Sequence, residues 1–467
     1  MKKRMLSLLM AALLLLSCTF AEEAGNTPLM PYFDCFAVPL GENAIFEIPN
    51  EWGYQTSDAA DVPPMTSLLT DQNQMVMAMK LPADWEATDA SDALGIQSFM
   101  VEGTALMLGL TTPQSTRLQE MTINDMPAVL VSMNGQGFDI LWVGDSGDLY
   151  FFLFPNDDDA LVQQMISVAQ SLCVFHRKGE QVNPASDFAY TADGGEVTIT
   201  EYIGTSEHVL IPDTIDGLPV TALGHRAFYE KTVTTVVVPD SVTEIGDLCF
   251  SGDNYLVSLT LPDELAELPY AALESCFRLM DFNLPKELKK ISGSALQYNY
   301  YLTHLTLPSS LTEIEQLNFI GMYGLQSLPL AEDNEAFKLD ETNGLLMTAD
   351  GTRLLHCFSD IVPAEEIILP EGVKIVDPFA FHYDYDVKRI VLPEGVETIG
   401  AMAFAMCPNL TEIVIPASVT DIGALDGLDG RTGIISYKRN VIVTPEGSPA
   451  WNWAVETGAT VKSPEEN

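Results

Sequence analysis

The 467-residue sequence predicts an α+β sandwich domain followed by a solenoid of short parallel strands. Three observations lead to this fold class. An apolar run that ends in proline recurs every 23 residues in the second half of the chain. The first half lacks this period and mixes helical with alternating strand patterns. The length exceeds what one hydrophobic core usually holds, so at least two domains are expected.

Residues 1–21 have the composition of a secretory signal peptide. The basic residues 2–4 precede an apolar run at residues 5–16 that is too short to span a bilayer. Small residues at the end of this segment favour cleavage after Ala21. Alternatively, Cys18 belongs to a lipoprotein signal and becomes acylated, although the leucine two places before it is atypical. A secreted or cell-surface location is expected, with membrane contact only through a lipidated Cys18.

Residues 30–178 are predicted to form the α+β sandwich. Alternating apolar residues indicate strands, and apolar residues at helical spacing behind polar caps indicate two amphipathic helices. The predicted strands are residues 44–49, 117–123, 128–133, 139–143 and 149–154, and the predicted helices are residues 91–110 and 157–172. The last four strands form an antiparallel meander between the helices.

The order of these elements resembles a PsbP-like domain. The resemblance includes the opening Phe46-Glu47-Ile48-Pro49-Asn50-Glu51-Trp52 and the closing helix. Members of that fold are mostly accessory binding modules, so the resemblance implies no chemistry for this domain. A linker at residues 179–187 connects it to the solenoid, which is expected to span residues 188–460.

Seven prolines mark the period of the solenoid. In two blocks with a 23-residue spacing, they are Pro239, Pro262, Pro285, Pro308, Pro370, Pro393 and Pro416. Aliphatic residues follow each proline at the third and sixth places, and Phe or Leu stands at the eleventh place except in the last turn, which has Gly427. Each turn is expected to contribute one short strand, because proline cannot donate to a strand ladder and ends the pairing. The apolar positions of stacked turns then share one core.

This pattern resembles the BspA-like, treponemal-type leucine-rich repeats of bacterial surface proteins. It is most complete from residue 410 to residue 423 and again at Ala403-Phe404. The lead-in from Phe188 to Pro212 also matches the start of such arrays. The resemblance implies a solenoid with a concave parallel sheet on the surface of a bacterial cell, and it does not identify a ligand.

Two irregular segments interrupt the array. Pro308 and Pro370 are 62 residues apart, seven fewer than three turns require, and Asp350-Gly351 between two apolar runs indicates a hairpin. An insert is therefore expected at about residues 331–366. After Gly423 the repeat decays, and a strand and short helix at about residues 434–460 are expected to cap the last exposed edge. Residues 461–467 form a tail.

The formal net charge of −44 at pH 7 makes the molecule strongly acidic. Such a surface repels nucleic-acid phosphates and anionic lipid head groups, so neither is expected as a partner. The charge is typical of a protein that stays soluble outside the cell, and a basic partner is the alternative interpretation.

No catalytic, cofactor-binding or metal-binding residues are predicted. Gly144-Asp145-Ser146-Gly147 is similar to the serine motif of chymotrypsin-like proteases, but a histidine base must precede that serine, and the first histidine is His176. The segment is therefore interpreted as a turn. The six histidines show no pair at metal-ligand spacing, and Asp157-Asp158-Asp159 is interpreted as helix capping rather than a calcium site.

Seven cysteines in a chain of this length do not form a disulfide scaffold. Cys35 and Cys173 lie near the two ends of the predicted N-terminal domain, and a disulfide between them is one alternative. Cys249, Cys276 and Cys407 recur at repeat positions, where small buried thiols are expected.

In each turn, the residues two, four and five places before the proline are expected to face solvent on the concave sheet. The candidate binding residues are Thr235, Val237, Ser258, Thr260, Asp281, Asn283, His304, Thr306, Glu366, Ile368, Lys388, Arg389, Val391, Glu412 and Val414. They grade from a neutral first block to a charged second block. Lys388-Arg389 and the lysines at positions 286, 289 and 290 are expected to be rare basic spots.

The sequence thus favours an exported bacterial binding or adhesion protein that contacts an extracellular protein or glycan through this face. A structural envelope protein that assembles with itself is the alternative, and an enzyme with an unrecognised site in the N-terminal domain is a remote one. A face that is merely solvated also fits the pattern. The ligand depends on a few variable side chains that the repeat does not determine.

Overall fold

In the computed structural model, two compact units comprise residues 1–181 and 182–467. The structure describes residues 35–39, 44–49, 53–57, 65–70, 74–80, 117–123, 126–133, 138–145, 148–155, 159–170, 172–174, 182–358, 361–384, 386–424, 435 and 440–466. The predicted signal peptide with Cys18 and the predicted helix at residues 91–110 lie outside the described residues.

The first unit consists mainly of antiparallel strands. They are Cys35–Pro39 (β1), Ala44–Pro49 (β2), Gly53–Ser57 (β3), Met65–Leu69 (β4), Met75–Lys80 (β5), Arg117–Ile123 (β6), Met126–Met133 (β7), Phe138–Asp145 (β8), Asp148–Pro155 (β9) and Cys173–Val174 (β10). Helix α1 is Asp159–Gln170. One sheet has the order β3-β4-β5-β9-β8-β7-β6, and a smaller sheet has the order β1-β2-β10.

Helix α1 packs against β2, β8 and β9. Its residues Leu161, Met165 and Ala169 are buried, and their spacing of four places them on one face of the helix. The predicted α+β class is confirmed, and all five predicted strands are present. Strands β1, β3, β4, β5 and β10 are additional. Strand β3 (GYQTS) is polar and β5 (MVMAMK) is apolar on both faces, so neither shows the alternation on which a strand prediction depends.

The register of the smaller sheet separates the two cysteines considered for a disulfide. Cys35 on β1 and Cys173 on β10 lie on opposite sides of β2, where they pair with Pro49 and Ile45. Two strand spacings and four residues of strand length place their backbones roughly 16 Å apart. A disulfide requires Cα atoms about 4.4–6.8 Å apart. The strand pairing therefore excludes this bridge.

The second unit is a solenoid of short strands. They are Phe188–Asp193 (β11), Glu196–Tyr202 (β12), His208–Leu210 (β13), Thr214–Ile215 (β14), Leu218–Leu223 (β15), Thr235–Val237 (β16), Glu244–Ile245 (β17), Ser258–Thr260 (β18), Glu267–Leu268 (β19), Asp281–Phe282 (β20), Lys290–Ile291 (β21), Glu313–Ile314 (β22), Phe337–Asp340 (β23), Leu345–Thr348 (β24), Arg353–Cys357 (β25), Glu366–Ile368 (β26), Ile375–Val376 (β27), Arg389–Val391 (β28), Thr398–Gly400 (β29), Glu412–Val414 (β30), Asp421–Ala424 (β31), Val441–Val443 (β32) and Thr460–Lys462 (β33). Helix α2 is Pro449–Thr457, and 3-10 helices are Ala185–Asp187 and Pro464–Glu466.

Most turns contribute to two sheets. The front sheet contains the strands that precede the prolines, in the parallel orders β13-β16-β18-β20 and β26-β28-β30-β32-β33. The back sheet contains the strands that follow the prolines, with the parallel pairings β15-β17, β19-β21-β22 and β25-β27-β29-β31. The prediction of one strand per turn is therefore incomplete. Most back strands have only two or three residues, too few to show an alternating pattern.

The repeated apolar positions fill the interior as predicted. The aliphatic and aromatic residues at the third, sixth and eleventh places after the prolines are buried, apart from the half-buried Ile422. Rings at the eleventh place also contact neighbouring turns: Phe250 stacks on Phe228 of the preceding turn with centroids 5.2 Å apart, and Phe381 and Phe404 lie 5.4 Å apart. Burial of these side chains supplies the main driving force for stacking the turns.

A buried hydrogen-bond donor recurs at the fourteenth place after the proline. Cys276, Asn299 and Cys407 donate to backbone carbonyls of eleventh-place residues in the preceding turns, at 3.1, 3.1 and 2.8 Å. Cys249 is buried as well, so the expectation of buried thiols is confirmed. Each of these carbonyls also accepts a backbone N–H of its own turn, so the side-chain donor adds a second hydrogen bond that links consecutive turns.

Two backbone positions in each regular turn have positive φ, at the ninth and thirteenth places after the proline. They are Leu248, Gly252, Ala271, Ser275, Ser294, Tyr298, Leu317, Gly321, Phe379, Tyr383, Met402 and Met406. Only two are glycine, although this conformation costs other residues roughly 1–2 kcal/mol. Stacking of neighbouring turns therefore holds the chain in a conformation that it would not adopt alone.

The insert divides the interior in two. Strands β24 and β25 form the hairpin predicted around Asp350-Gly351, and β25 then pairs in parallel with β27 of the back sheet. Leu346 and Leu355 belong to the core of the first block, whereas Leu345 and Leu354 belong to the core of the second. The hairpin is therefore a wall between two separately packed interiors.

Both ends of the array are closed by additional pairing. Asn183 donates its backbone N–H to the carbonyl of Leu210 at 2.9 Å and accepts from the Leu210 N–H through its side chain at 2.8 Å. At the other end, helix α2 begins after the N-cap Ser448 and ends at Gly458, whose φ is 73°. Strand β33 then pairs with β32, so the front sheet continues to Lys462, past the predicted cap boundary at residue 460.

Candidate binding surface

The predicted binding residues, apart from Lys388, form two parallel rows on the front sheet. Row one comprises the positions four places before the prolines: Thr235, Ser258, Asp281 and His304 in the first block, and Glu366, Arg389 and Glu412 in the second. Row two comprises the positions two places before the prolines: Val237, Thr260, Asn283 and Thr306 in the first block, and Ile368, Val391 and Val414 in the second. Strand pairing puts neighbours within each row in register. Lys388 directly precedes Arg389 of row one.

Row one of the first block contains two hydrogen-bonded pairs. His208 Nδ1 and Thr235 Oγ1 lie 3.0 Å apart, and Ser258 Oγ donates to Asp281 Oδ2 at 2.6 Å. Thr235 and Ser258 are only 4 % and 1 % exposed. The expectation that these two residues face solvent is therefore wrong. Their short side chains lie between longer hydrogen-bonded neighbours on adjacent strands, which shield them.

Row two of the first block is exposed and has no internal partners. Thr260, Asn283 and Thr306 are exposed, and their side chains make no hydrogen bond within the described part of the chain. Val237 is half-buried beside Thr260. His304, in row one, is also exposed and contacts Thr303 through a hydrogen bond of 2.8 Å. The polar groups of row two are therefore available to a ligand.

Row one of the second block is a ladder of alternating charges. Arg389 pairs with Glu366 on one side and with Glu412 on the other, the latter at 2.7 Å, and Lys462 reaches Glu412 at 2.9 Å. Glu412 and Glu366 raise the pKa of Arg389, and Arg389 and Lys462 lower the pKa of the Glu412 carboxyl. Each charge meets an opposite charge one or two strands away, so this row has no excess of one sign.

Three of the four lysines expected to be basic spots are neutralised, whereas the exposed Lys289 forms no ion pair within the described residues. Lys388 pairs with Glu365 of the preceding turn. Lys286 pairs with Asp263 at 2.6 Å, and Lys290 lies on the back sheet with Glu315 at 2.6 Å. Opposite charges at a spacing of about one turn indicate such pairs, because equivalent positions of adjacent turns are neighbours in the sheet. Considering each lysine alone conceals this relationship.

Row two of the second block is apolar. Ile368 is 58 % exposed, and Val391 and Val414 continue the row on the next two strands. A large aliphatic side chain with this exposure loses much unfavourable contact with water when a partner covers it. The compensated charge ladder runs alongside. This arrangement, an apolar centre beside a polar rim, is typical of protein-binding surfaces.

Metal ligands, the serine motif and membrane-spanning helices are the remaining candidate features. No group of three or more His, Cys, Asp and Glu side chains in this part of the chain is placed to hold a metal ion. Gly144 and Asp145 pair with Leu149 and Asp148 in a β-hairpin, which agrees with the turn interpretation of this segment. Within the same described ranges, no helix is long and apolar enough to cross a membrane.

Comparison with known protein families explains the repeat. Residues 221–340 and 355–425 match the BspA type leucine-rich repeat region in six copies. The array belongs to the BspA-type leucine-rich repeats. The two matched ranges are separated by the β24 strand and its flanking turns, where the BspA-type period is interrupted. No curated protein sequence matches the chain.

Solved structures with similarity to the chain include several bacterial proteins. The T. pallidum leucine-rich repeat protein TpLRR is 25 % identical with a TM-score of 0.34, covering 49 % of this chain and 91 % of that one. A leucine-rich cell surface protein from Faecalibacterium prausnitzii is 19 % identical with a TM-score of 0.36, covering 59 % and 97 %. PsbP (CyanoP) from Synechocystis is 14 % identical with a TM-score of 0.25, covering 30 % and 93 %.

Proposed function

We propose that this protein is an exported bacterial binding protein whose front sheet contacts an extracellular protein. The signal-like residues 1–21 support export, and the BspA-type repeat supports a role at the cell surface. In this proposal the solenoid of residues 188–460 supplies the main contact, and the domain at residues 30–178 acts as a second adapter. The sequence of neither range predicts catalytic residues.

The observation that carries the proposal is the exposure of Ile368 on an ordered strand. Ile368 leads the apolar row that continues through Val391 and Val414, beside a charge ladder whose members already pair with one another. A partner that covers this row gains apolar burial without leaving an isolated charge in the interface. Self-association is less favoured, because each copy has a net charge of −44 and repels the next.

The proposal is tested by adhesion of beads that carry the full chain. Bead binding is counted on epithelial cells and on cells of other bacteria, with and without prior protease treatment of those cells. We expect Ile368→Asp to reduce binding at least tenfold, because it places an unpaired charge in the centre of the contact. Protease treatment should abolish the part of the binding that depends on Ile368.

Ile375→Asp is the matched control. Ile375 lies in the same turn and is 39 % exposed, but it belongs to the back sheet. Binding should survive this change. Equal loss with both variants, or no loss with Ile368→Asp, contradicts the proposal. Analytical ultracentrifugation of the same samples decides the structural alternative, since a self-assembling envelope protein would sediment as oligomers that Ile368→Asp dissociates.

A further inference from the structure

We infer that row two of the first block binds a neutral, hydroxyl-rich glycan. This inference deepens the proposed function and rests on it, since it gives the first block a ligand of a different chemical class from that of the second. Thr260, Asn283 and Thr306 are the residues that would contact the sugar.

The polar groups of these three residues are unused. Their side chains are exposed and form no hydrogen bond within the described ranges. Row one beside them is different, because Ser258 is already bonded to Asp281, and Thr235 to His208. Free hydroxyl and amide groups beside a row that is fixed by its own hydrogen bonds are suited to recognising a polyhydroxylated ligand.

Charge selects against ionic ligands on this face. Among the twelve positions two, four and five places before Pro239, Pro262, Pro285 and Pro308, the only carboxylate is Asp281, which accepts a hydrogen bond from Ser258; none is lysine or arginine, and the only histidine is His304. The chain as a whole has a net charge of −44. An anionic ligand is repelled by the surrounding molecule, and a cationic ligand finds only Asp281 to pair with. A neutral ligand meets neither obstacle.

The front strands of the first block also lack the anchor that a protein partner needs, since the exposed Tyr255 and Tyr270 lie outside these strands. Protein interfaces depend on large apolar or aromatic side chains that become buried at their centre. In the described front strands of the first block, no large hydrophobic side chain is exposed, whereas Ile368 is exposed in the second block. The spacing fits a short sugar chain, because Thr260, Asn283 and Thr306 occupy equivalent places in successive turns and extend over roughly 10 Å.

The test measures binding of the full chain to defined oligosaccharides by calorimetry and on a glycan array. The neutral probes are cellotriose, maltotriose, mannotriose and chitotriose, and the anionic probes are sialyllactose and heparin. We expect binding to at least one neutral probe and none to the anionic probes. The double variant Thr260→Val/Thr306→Val keeps the shape of both side chains but removes two hydroxyls, so affinity should fall about tenfold or more.

Thr243→Val is the matched control, since Thr243 is an exposed threonine outside the front sheet. Far-ultraviolet circular dichroism checks that each variant is folded. Failure of every neutral probe, preference for the anionic probes, or equal loss with Thr243→Val overturns the inference. Ile368→Asp should leave glycan binding unchanged. If glycan binding is absent while bead adhesion still depends on Ile368, the inference is wrong and the proposed function stands; if both are absent, both are wrong.

Discussion

Leu354 and Leu355 are consecutive residues of strand β25, yet their side chains lie in different hydrophobic cores. Successive strand residues point to opposite faces, so the hairpin of β24 and β25 presents one apolar surface to each block. The two blocks share a covalent chain and a wall, and each packs its own interior.

Substitution at these two leucines should therefore destabilise different halves of the solenoid. Leu354→Ala and Leu355→Ala each create a cavity and are expected to cost roughly 2–5 kcal/mol. Hydrogen exchange should accelerate in residues 361–424 with Leu354→Ala and in residues 182–340 with Leu355→Ala, because opening follows the core that lost its contact. Uniform acceleration throughout the solenoid with either variant would show that the cores unfold as one.

Asp253 should make stability depend on pH. Asp253 lies at the fourteenth place of its turn, which is the place that Asn299 holds in a later turn. Burial raises the pKa of Asp253 to about 8, and its Oδ2 has no hydrogen-bond partner in the described ranges. A raised pKa means that the folded state holds the proton more tightly than the unfolded chain, whose Asp titrates near 3.8. The contribution of Asp253 to the free energy of unfolding is complete below pH 4 and is lost as the pH rises towards 8.

Asp253→Asn removes this loss by supplying a permanently neutral side chain. Urea unfolding should show a gain of roughly 2–4 kcal/mol at pH 8 and almost none at pH 4. Asp240→Asn is the control, since Asp240 is an exposed aspartate in the same turn as Asp253. A gain that is the same at both pH values would contradict the assignment of the ionisable group.

Arg353 should be needed to keep a buried carboxylate in the back sheet. Its Nε and a terminal nitrogen donate to Asp377 at 2.7 and 2.8 Å, and burial raises the pKa of Asp377 while Arg353 lowers it. Arg353→Gln should cost about 3–5 kcal/mol at pH 7. The deficit should shrink as the pH falls, because the variant can then protonate Asp377.

Thermal unfolding between pH 4 and pH 8 measures this effect. Lys374→Gln serves as the control because Lys374 and its partner Glu397 are more than half exposed, and such pairs contribute about 1 kcal/mol or less. The double variant Arg353→Gln/Asp377→Asn should recover most of the loss. A deficit that does not change with pH would indicate lost packing of the arginine stem instead.

Gly321 should be intolerant of a side chain for two separable reasons. Its φ is +80°, and a Cβ there would lie 2.6 Å from a ring carbon of Tyr298 and 3.0 Å from its Cα. Gly372 also has a positive φ of +97°, but a Cβ there would meet no atom within 4 Å. Gly372→Ala should cost about 1–2 kcal/mol from backbone strain alone, and Gly321→Ala should cost more. Chemical unfolding of the two variants gives the difference, and equal costs would exclude the clash.

Much of the solenoid is predictable because its period repeats the same physical requirement in every turn. The prolines locate the front strands, and the third, sixth and eleventh places locate the core. The back strands escape prediction because two or three residues carry no pattern. Strand β5 of the first unit escapes prediction for a different reason, because its first five residues are all apolar and show no alternation.

The position of the candidate surface is predictable, but the burial and pairing of its residues are not. Register alone places Thr235 and Ser258 on the front sheet, whereas their burial depends on how His208 and Asp281 are oriented beside them. The pairing of Arg389 with Glu366 and Glu412 is visible as a spacing of 23 residues only once the turns are known to stack directly. Lys462 joins the ladder through a strand that follows the last proline, where no repeat pattern remains.

Donors at the fourteenth place of three turns give the solenoid a direction of assembly. Cys276, Asn299 and Cys407 each add a second hydrogen bond to a carbonyl of the preceding turn. A ribosome releases the earlier turn first, so each of these donors emerges when its acceptor is already in place. The turns can therefore be added in chain order, from Asn183 at the start of the array to helix α2 at its end.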